Sequence, residues 1–379
     1  MIRRAFPVLG LAIFSSMLGV GIVAPLLPLY AENMGASGTW IGIIFAGFSI
    51  SRAVVMPIAG KLSDRSGRKL FLGTGLLIYS LISMGYIWAS TVSGLTLVRL
   101  VQGVAAGMVI PIAQAYVGDI SPEAEEGTWM GYFNAAFFTG FGFGPLMGGT
   151  LTDHFGMNVA FSTMGALNLL GFFLVTFLLP EVKAKRTKSG LQPSYREIGR
   201  SNTVKGLLGF RLAFSVGRGA FASFLPIFAG VYIGLSPTRI GILIAANILL
   251  MSLLQPCGGA VADRISRRLL VVLGSIANLA FLALIPSGVN FWQLLAICLL
   301  GSIGGAISIP AASALIVEEG RKFGMGSTMA VFGMVFSIGM AIGPLLGGVI
   351  ADVFNIRSVF YFGSGMGVLG TSFFIWCTK

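Results

Sequence analysis

The sequence predicts an all-α membrane protein whose twelve transmembrane helices form two parallel six-helix repeats. The chain of 379 residues is 55% hydrophobic and only 10% charged, which is too little charge to cover the surface of a soluble protein. Apolar stretches of about 20 residues, long enough to cross a ~30 Å hydrocarbon core as helices, recur from end to end. The chain also repeats itself at an offset of 199 residues (263 − 64).

The twelve predicted spans are numbered here in chain order. Spans 1 to 6 lie at about 5–31, 39–60, 70–89, 94–118, 128–151 and 157–180, and spans 7 to 12 at about 204–231, 237–261, 269–287, 291–317, 325–351 and 356–377. An even number of spans in each half gives both halves the same orientation, so the repeat is parallel. We expect an N-terminal bundle at 1–180, a basic cytoplasmic linker at 181–203 and a C-terminal bundle at 204–379.

Several separate segments share the 199-residue register. The corresponding pairs are Gly60–Arg65 with Gly259–Arg264, Ile110–Pro111 with Ile309–Pro310, Asp119 with Glu318, Gly140–Gly149 with Gly339–Gly348, and Asp153 with Asp352. Chance does not readily produce this agreement at several separated sites. The sequence therefore indicates a duplicated unit of about 180 residues.

The net charge of +12 follows membrane topology and does not indicate nucleic-acid binding. Of the 25 Lys and Arg residues, 19 fall in segments that are cytoplasmic if the N-terminus is inside, while only Arg239 and Arg357 fall in outer loops. This is the asymmetry expected of loops on the cytoplasmic side. The distribution predicts a multi-pass protein of a prokaryotic-type plasma membrane, with both termini cytoplasmic and the lipid bilayer as its surroundings.

Some functional classes are disfavoured by the residue pattern. The chain lacks a phosphate-binding loop of the form Gly-x-x-x-x-Gly-Lys-Ser/Thr, which argues against ATP-powered transport within it. No span carries a cluster of carboxylate, His or Cys suited to catalysis or metal binding, so we expect no enzyme, no metal and no cofactor. The cysteines Cys257, Cys298 and Cys377 lie in or at the ends of spans and have no metal-ligand spacing.

Spans 5 and 11 each carry a stripe of glycines at intervals of four residues, with a proline in the middle. The stripes are Gly140, Gly144 and Gly148 with Pro145, and Gly339, Gly343 and Gly347 with Pro344. Small residues let helices approach closely, and proline bends a helix by removing a backbone donor. Two interpretations stay open: plain packing faces, or hinges that let one bundle move against the other.

Three sequence motifs together resemble the major facilitator superfamily, and specifically its twelve-helix drug:proton antiporter branch. The first motif runs from Gly60 to Lys69, the second from Leu97 to Gly107, and the third from Gly140 to Gly149; Pro25–Pro28 at the end of span 1 also fits. The resemblance implies the major facilitator fold and a monomeric secondary transporter. It further implies efflux of a small-molecule, amphiphilic substrate by alternating access, with protons as the coupling ion.

The loop between spans 2 and 3 contains charges that the resemblance implies act as a cytoplasmic gate. The residues expected to take part are Gly60, Asp64, Arg65, Gly67, Arg68, Asp119, Asp263 and Arg264. Asp119 ends span 4 on the same side, within reach of Arg65 or Arg68. The alternative is that these charges only anchor the topology in solvent.

Four arginines lie inside spans, at positions without a charged counterpart in the other half: Arg52, Arg99, Arg211 and Arg218. A buried arginine without a partner is expensive, so each must line water, bind carbonyls or meet an anion. We expect them to line a substrate cavity together with Gln102 and Asn134. Gln102 shares a helical face with Arg99, although Arg99 is close enough to the outer end of span 4 to reach the interface instead.

All 13 acidic residues lie at helix ends or in loops, so no carboxylate within a span can carry a proton. The nearest candidates for proton coupling are Glu32 and Asp119. Three functions therefore stay open: proton-coupled efflux of amphiphilic compounds, an organic-anion carrier or facilitator that uses the arginines, and a non-transporting membrane receptor or scaffold.

Overall fold

The structure is a computed structural model that describes residues 2–120, 126–181, 201–262, 265–323 and 325–378. Helices account for nearly all of these residues, and none of them belongs to a β-strand. Eleven stretches of the described residues are long and apolar enough to cross a membrane. The all-helical membrane class is therefore confirmed, while most of the predicted linker at 181–203 lies outside the described residues.

Each predicted span falls on one helix or on two consecutive helices. The helices of the first half are Ile2–Val23 and Leu26–Asn33 (span 1), Gly38–Ser66 (span 2), Arg68–Trp88 (span 3), Val92–Ile120 (span 4), Glu126–Phe155 (span 5) and Met157–Phe173 with a π-helical turn at Leu174–Leu178 (span 6). Those of the second half are Asn202–Ile227 with a π-helical turn at Phe228–Tyr232 (span 7), Pro237–Ala262 (span 8), Arg267–Leu284 with a 3₁₀ turn at Ile285–Ser287 (span 9), Phe291–Phe323 (span 10), Met325–Val353 (span 11) and Ile356–Cys377 (span 12).

Local sequence explains where several of these helices begin and where span 1 breaks. The Ser201 side chain accepts the backbone N–H of Val204 and so caps span 7. Gly67, at φ +96°, precedes span 3, and this left-handed conformation suits glycine. Span 1 is interrupted just before Pro25, because proline lacks the N–H that would continue the helical ladder.

The chain forms two compact units. Unit 1 comprises Met1–Ala36, Gly47–Thr187 and Leu235–Ala245, and unit 2 comprises Ser37–Ala46, Lys188–Gly234 and Ala246–Lys379. The first turns of span 2 thus belong to unit 2, and the first turns of span 8 belong to unit 1. These two helices each contribute to both units.

Corresponding spans pack together in the two units. In unit 1, span 1 packs against spans 5 and 6, and span 3 packs against spans 4 and 6. In unit 2, span 7 packs against spans 11 and 12, and span 9 packs against spans 10 and 12. Each unit has its own apolar core, which includes the fully buried Tyr79 and Phe133 in unit 1 and Val204 and Phe374 in unit 2. These cores fix the positions of the polar side chains described next.

Candidate functional site

A buried ion pair lies at the predicted cytoplasmic end of unit 1. Arg68, at the start of span 3, contacts Asp119 near the end of span 4, with 3.0 Å between Nε and Oδ2. The same guanidinium donates to Ser63 Oγ at 2.8 Å, and Ser63 donates to the Gly60 carbonyl. Arg68, one of the two arginines expected to reach Asp119, therefore makes this contact. The side chains of Asp64 and Arg65 lie outside the described residues.

Unit 2 repeats this pair at the corresponding positions, but in a more exposed form. Arg267 contacts Glu318, and the two side chains are 28% and 50% exposed, compared with 8% and 10% for Arg68 and Asp119. The neighbouring Arg268 donates to the backbone carbonyl of Thr378 at 2.7 Å. The predicted gating residues Asp263 and Arg264 lie outside the described residues.

Arg99 occupies a buried polar cluster in unit 1. Its NH1 atom donates to Gln102 Oε1 at 2.6 Å, and its guanidinium lies 4.3 Å from the centre of the Phe48 ring. Tyr86 donates its hydroxyl hydrogen to the same Gln102 oxygen. Gln102 lies further than Arg99 from the predicted outer end of span 4. The Arg99 side chain therefore extends away from the outer interface and not toward it. Arg99 and Gln102 thus contact each other on one helical face, and their expected role in lining a substrate cavity stays a prediction.

Arg52, on span 2, lies beside a tyrosine and makes no hydrogen bond to another described residue. Its Nε atom is buried and has no hydrogen-bond partner among the residues that the structure describes. The buried Tyr79 lies close enough to interact with it electrostatically. The Nε–H group of Arg52 is therefore a buried donor without an acceptor in the described part of the chain.

Arg218 is held by a polar network in unit 2. Its NH1 atom donates to Asn247 Oδ1 at 2.7 Å. Asn247 donates to the Cys298 carbonyl at 2.8 Å and to Ser302 Oγ at 3.1 Å, and Ser302 donates back to the Asn247 carbonyl at 3.0 Å. The sequence analysis identified Arg218 but missed Asn247 and Ser302. The signal that could have found Asn247 is its position as the one polar side chain in the apolar run 240–251.

Arg211 lies nearer than Arg218 to the predicted cytoplasmic end of span 7, and its guanidinium lies between two aromatic rings. The centres of the Phe332 and Phe336 rings are 4.7 Å and 4.4 Å from its guanidinium carbon. Its Nε atom is buried without a hydrogen-bond partner in the described part of the chain. Cation–π contacts therefore supply the interactions that Arg218 obtains from an amide.

The two remaining polar candidates are not joined to these clusters. Asn134 is exposed on span 5, and the structure assigns its side chain no hydrogen bond within the described residues. Glu32 is half-buried near the end of the helix Leu26–Asn33. Neither side chain is brought together with an arginine in the described contacts.

The glycine stripes of spans 5 and 11 are close-packing faces within their units. A Cβ atom added at Gly140, Gly144 or Gly148 would overlap the backbone of span 1. Added at Gly339 or Gly343, it would meet span 7 in the same way. The absence of side chains at these positions therefore lets helix backbones touch.

Comparison with known proteins assigns the family. The profile of the Major Facilitator Superfamily matches residues 9–232 and 207–379, which together span nearly the whole chain. The chain belongs to the Major Facilitator Superfamily. This confirms the resemblance carried by the three sequence motifs. The chain is accordingly a multi-pass membrane transporter and not an enzyme, so the receptor or scaffold alternative is set aside.

Curated relatives align over almost their full lengths. An uncharacterised MFS-type transporter of Methanocaldococcus jannaschii is 30% identical over 370 residues, which cover 94% of this chain and 93% of the relative. The quinolone resistance protein NorA of Staphylococcus aureus is 28% identical, with coverage of 94% and 92%. Multidrug resistance protein 2 of Bacillus subtilis is 29% identical, with coverage of 97% and 94%.

Solved structures of other transporters share the fold. A bacterial homologue of the human lysosomal transporter Spinster, in an inward-facing and occupied conformation, superposes with a TM-score of 0.84 at 14% identity, covering 98% of this chain and 96% of that chain. The nucleoside transporter NupG superposes with a TM-score of 0.83 at 15% identity, covering 99% and 100%. At these identities the likeness concerns the fold alone.

Proposed function

We propose that the protein exports amphiphilic small molecules by alternating access, through rocking of its two halves, 1–180 and 204–379, about a central site. The observation that carries this proposal is the full-length similarity to two drug-resistance transporters, NorA and Multidrug resistance protein 2. Both termini lie in the cytoplasm in this proposal, as the distribution of Lys and Arg predicts. The protein works as a monomer.

Proton antiport is part of this proposal, and Asp119 is its leading coupling residue. Asp119 is the buried partner of Arg68, so its protonation would remove one charge of a pair with little access to water. Loss of that charge would weaken the contact between the start of span 3 and the end of span 4. Glu32 is the second candidate, because it is a half-buried carboxylate at the opposite end of unit 1.

A second candidate function is the transport of organic anions. It is favoured by one observation, that the Nε atoms of Arg52 and Arg211 are buried without an acceptor in the described residues. Arginine stays charged under all physiological conditions, so each guanidinium is stabilised by an anionic or strongly accepting ligand. A carboxylate or phosphate on an otherwise apolar substrate would satisfy it while the aromatic walls accommodate the remainder.

Uptake into everted membrane vesicles separates the two functions. A lipophilic cationic dye and an amphiphilic organic anion are each offered with and without an imposed pH gradient. We expect gradient-driven accumulation of at least one amphiphile, and we expect Asp119→Asn to abolish the dependence on the gradient. Transport of the anion alone, at a rate that does not depend on the pH gradient, would contradict proton antiport and support an anion carrier.

Arg52 and Arg218 provide the matched variants for the choice between cation and anion. Arg52→Gln removes the unsatisfied charge, whereas Arg218→Gln removes a charge that Asn247 already holds. If the substrate is anionic, Arg52→Gln should reduce its transport at least tenfold while the protein stays folded. Unchanged export of hydrophobic cations by both variants, with no anion transport by the parent, would refute the carrier.

A further inference from the structure

One face of span 7 carries the few accessible side chains of an otherwise buried helix. From Ala213 to Ala229, every residue of span 7 is buried except Arg218 and Ala222, which are partly exposed. Arg211 is also partly exposed and precedes Arg218 by seven residues, which is close to two helical turns. The two arginines therefore share one face of the helix and lie about 10 Å apart along its axis.

Packing against span 11 fixes the backbone of span 7 at Arg211. A Cβ atom added at Gly339 would overlap the Leu212 carbonyl and Ser215 Cβ, so the two helices touch at this level. The Ser215 hydroxyl donates to the Arg211 carbonyl. The Arg211 side chain therefore starts from a fixed point beside the residues that precede Gly339 on span 11.

Two rings on that part of span 11 lie against the Arg211 guanidinium. The centres of Phe332 and Phe336 are 4.7 Å and 4.4 Å from its Cζ atom. These phenylalanines are four residues apart and so share a face of their helix. An aromatic ring attracts the cation but is no ordinary hydrogen-bond acceptor, so these contacts do not satisfy the N–H donors of the guanidinium. We call these three side chains the Arg211 slot.

The matching slot of unit 1 is filled by apolar side chains. Its residues correspond to those of unit 2 as follows: Ile13 to Arg211, with Pro28 and Pro226 as the reference pair, and Phe133 to Phe332 and Phe137 to Phe336 in the 199-residue register. Ile13 is 1% exposed and Phe133 is fully buried, and Phe137 packs against the same apolar cluster. Isoleucine therefore fills this place in the fold, and packing alone does not call for an arginine.

An arginine in such a slot costs free energy unless its donors find acceptors. Arginine keeps its charge, and an ionised side chain within a span is expensive without a partner. The Nε atom of Arg211 is buried without a hydrogen-bond partner in the described part of the chain. A carboxylate would supply the acceptors, because its two coplanar oxygens bind two N–H groups of one guanidinium.

We propose that the Arg211 slot is a binding subsite for the carboxylate of an aromatic amphiphile. The carboxylate binds the N–H edge of Arg211, and the aromatic body lies against Phe336 and Leu212, which are partly exposed, whereas Phe332 is buried. The inference rests on the transport of organic anions, the second candidate function above. It gives that function a subsite on the predicted cytoplasmic side of Arg218.

Binding of 2-naphthoate to the purified protein in detergent micelles tests the subsite. Scintillation proximity with radiolabelled 2-naphthoate gives its affinity, and competition gives that of 2-naphthamide, which has the same rings and no charge. We expect 2-naphthoate to bind at least about tenfold more tightly, because hydrogen bonds between charged groups are the strong ones. Equal affinities, or no saturable binding of 2-naphthoate, would overturn the proposal.

Arg211→Ile places the unit 1 residue in the slot. We expect the affinity for 2-naphthoate to fall at least about tenfold. The unfolding temperature of the ligand-free variant should equal or exceed that of the parent, because a charge is removed from an apolar site. Lys205→Gln is the matched control, since it removes an exposed cation from the same helix, and it should change the affinity less than about twofold. Parent-like binding by Arg211→Ile would contradict the subsite.

Arg211→Lys gives a second test that does not depend on how isoleucine packs. Lysine keeps the charge but lacks the coplanar donors, so the affinity for 2-naphthoate should fall about threefold or more. If Arg211→Ile lowers the unfolding temperature, Arg211→Lys decides in its place. Full affinity in Arg211→Lys would show that the planar guanidinium is not the binding group.

Phe336→Leu tests the position of the aromatic body. The preference for 2-naphthoate over cyclohexanecarboxylate, measured by competition, should fall about threefold when this ring is removed. An unchanged preference would overturn the contact between the ligand and Phe336.

These measurements separate the subsite from anion transport. If Arg52→Gln or Arg218→Gln abolishes binding of 2-naphthoate while Arg211→Ile retains it, an anion carrier stands and the Arg211 subsite is wrong. If Arg211→Ile alone loses binding while vesicles that contain the parent protein transport no organic anion, the subsite stands and the carrier is wrong.

Discussion

The two halves of this transporter share their backbone contacts and differ in the charges placed among them. Phe48 and Asn247 are equivalent in the 199-residue register, and each contacts an intramembrane arginine. In the first half that arginine is Arg99 from span 4, whereas in the second half it is Arg218 from span 7. Corresponding helices thus meet in the same way in the two halves, while the buried arginines occupy different positions in each half. Charges specific to one half are therefore better candidates for a role in transport than for a role in folding.

The ion pairs at the predicted cytoplasmic ends occupy corresponding positions in the two halves, but their exposure to solvent differs. Arg68–Asp119 is nearly enclosed, while Arg267–Glu318 is open to solvent. A buried pair that loses one partner leaves an uncompensated charge, whereas an exposed pair is replaced by water. Removing the acidic partner should therefore lower the free energy of unfolding more in the first half than in the second.

The largest expected effect is that of Asp119→Asn compared with Glu318→Gln. We expect Asp119→Asn to lower the free energy of unfolding by about 3 kcal/mol, because the buried guanidinium of Arg68 would lose its ion pair with this carboxylate. Glu318→Gln should lower it by less than about 1 kcal/mol. Equilibrium unfolding in mixed detergent micelles measures both. If both variants lower the free energy of unfolding by the same amount, the difference in exposure between the two pairs does not affect stability.

A smaller effect is expected where the glycine stripes differ. Gly148 meets the backbone of Ile22, which cannot move aside, whereas a Cβ at Gly347 would lie 3.0 Å from side-chain atoms of Phe224 and Val359. Gly148→Ala should therefore destabilise the protein by about 2 kcal/mol, and Gly347→Ala by less than about 1 kcal/mol, because those side chains can repack. The same unfolding experiment applies, and a greater loss for Gly347→Ala would reverse the comparison.

Much of the fold and part of the candidate site could be predicted because the controlling signals are local or repeated. Apolar length places the helices, and the three-residue spacing on one helix brings Arg99 to Gln102. The Arg68–Asp119 contact was within reach of prediction because both residues end helices on the same predicted side of the membrane. In each case, sequence position alone limits where the side chain can be.

The remaining contacts depend on tertiary packing, which the sequence pattern does not encode. Asn247 is the one polar side chain in the apolar run 240–251, and its equivalent Phe48 gives no sign that an arginine lies beside it. The repeat identified Asp352 as a conserved feature of both halves, but Gly38, whose backbone N–H donates to Asp352 Oδ1, is 314 residues away and carries no side chain to attract notice. Three-dimensional neighbours of this kind are set by helix crossings, and no periodicity along one helix reveals them.

The smallest expected effect concerns the rings beside the arginines, and it tests whether the two halves hold their charges by different means. The Arg99 guanidinium lies 4.3 Å from the Phe48 ring centre, while that of Arg218 lies 5.6 Å from Phe221 and is bonded to Asn247. A double-mutant cycle of Phe48→Leu with Arg99→Gln should give a coupling of about 1 kcal/mol. The cycle of Phe221→Leu with Arg218→Gln should give less than half of that, because the amide and not the ring holds Arg218. If the second coupling equals the first, the aromatic contact would matter equally in both halves, and the amide network around Asn247 would not account for the position of Arg218.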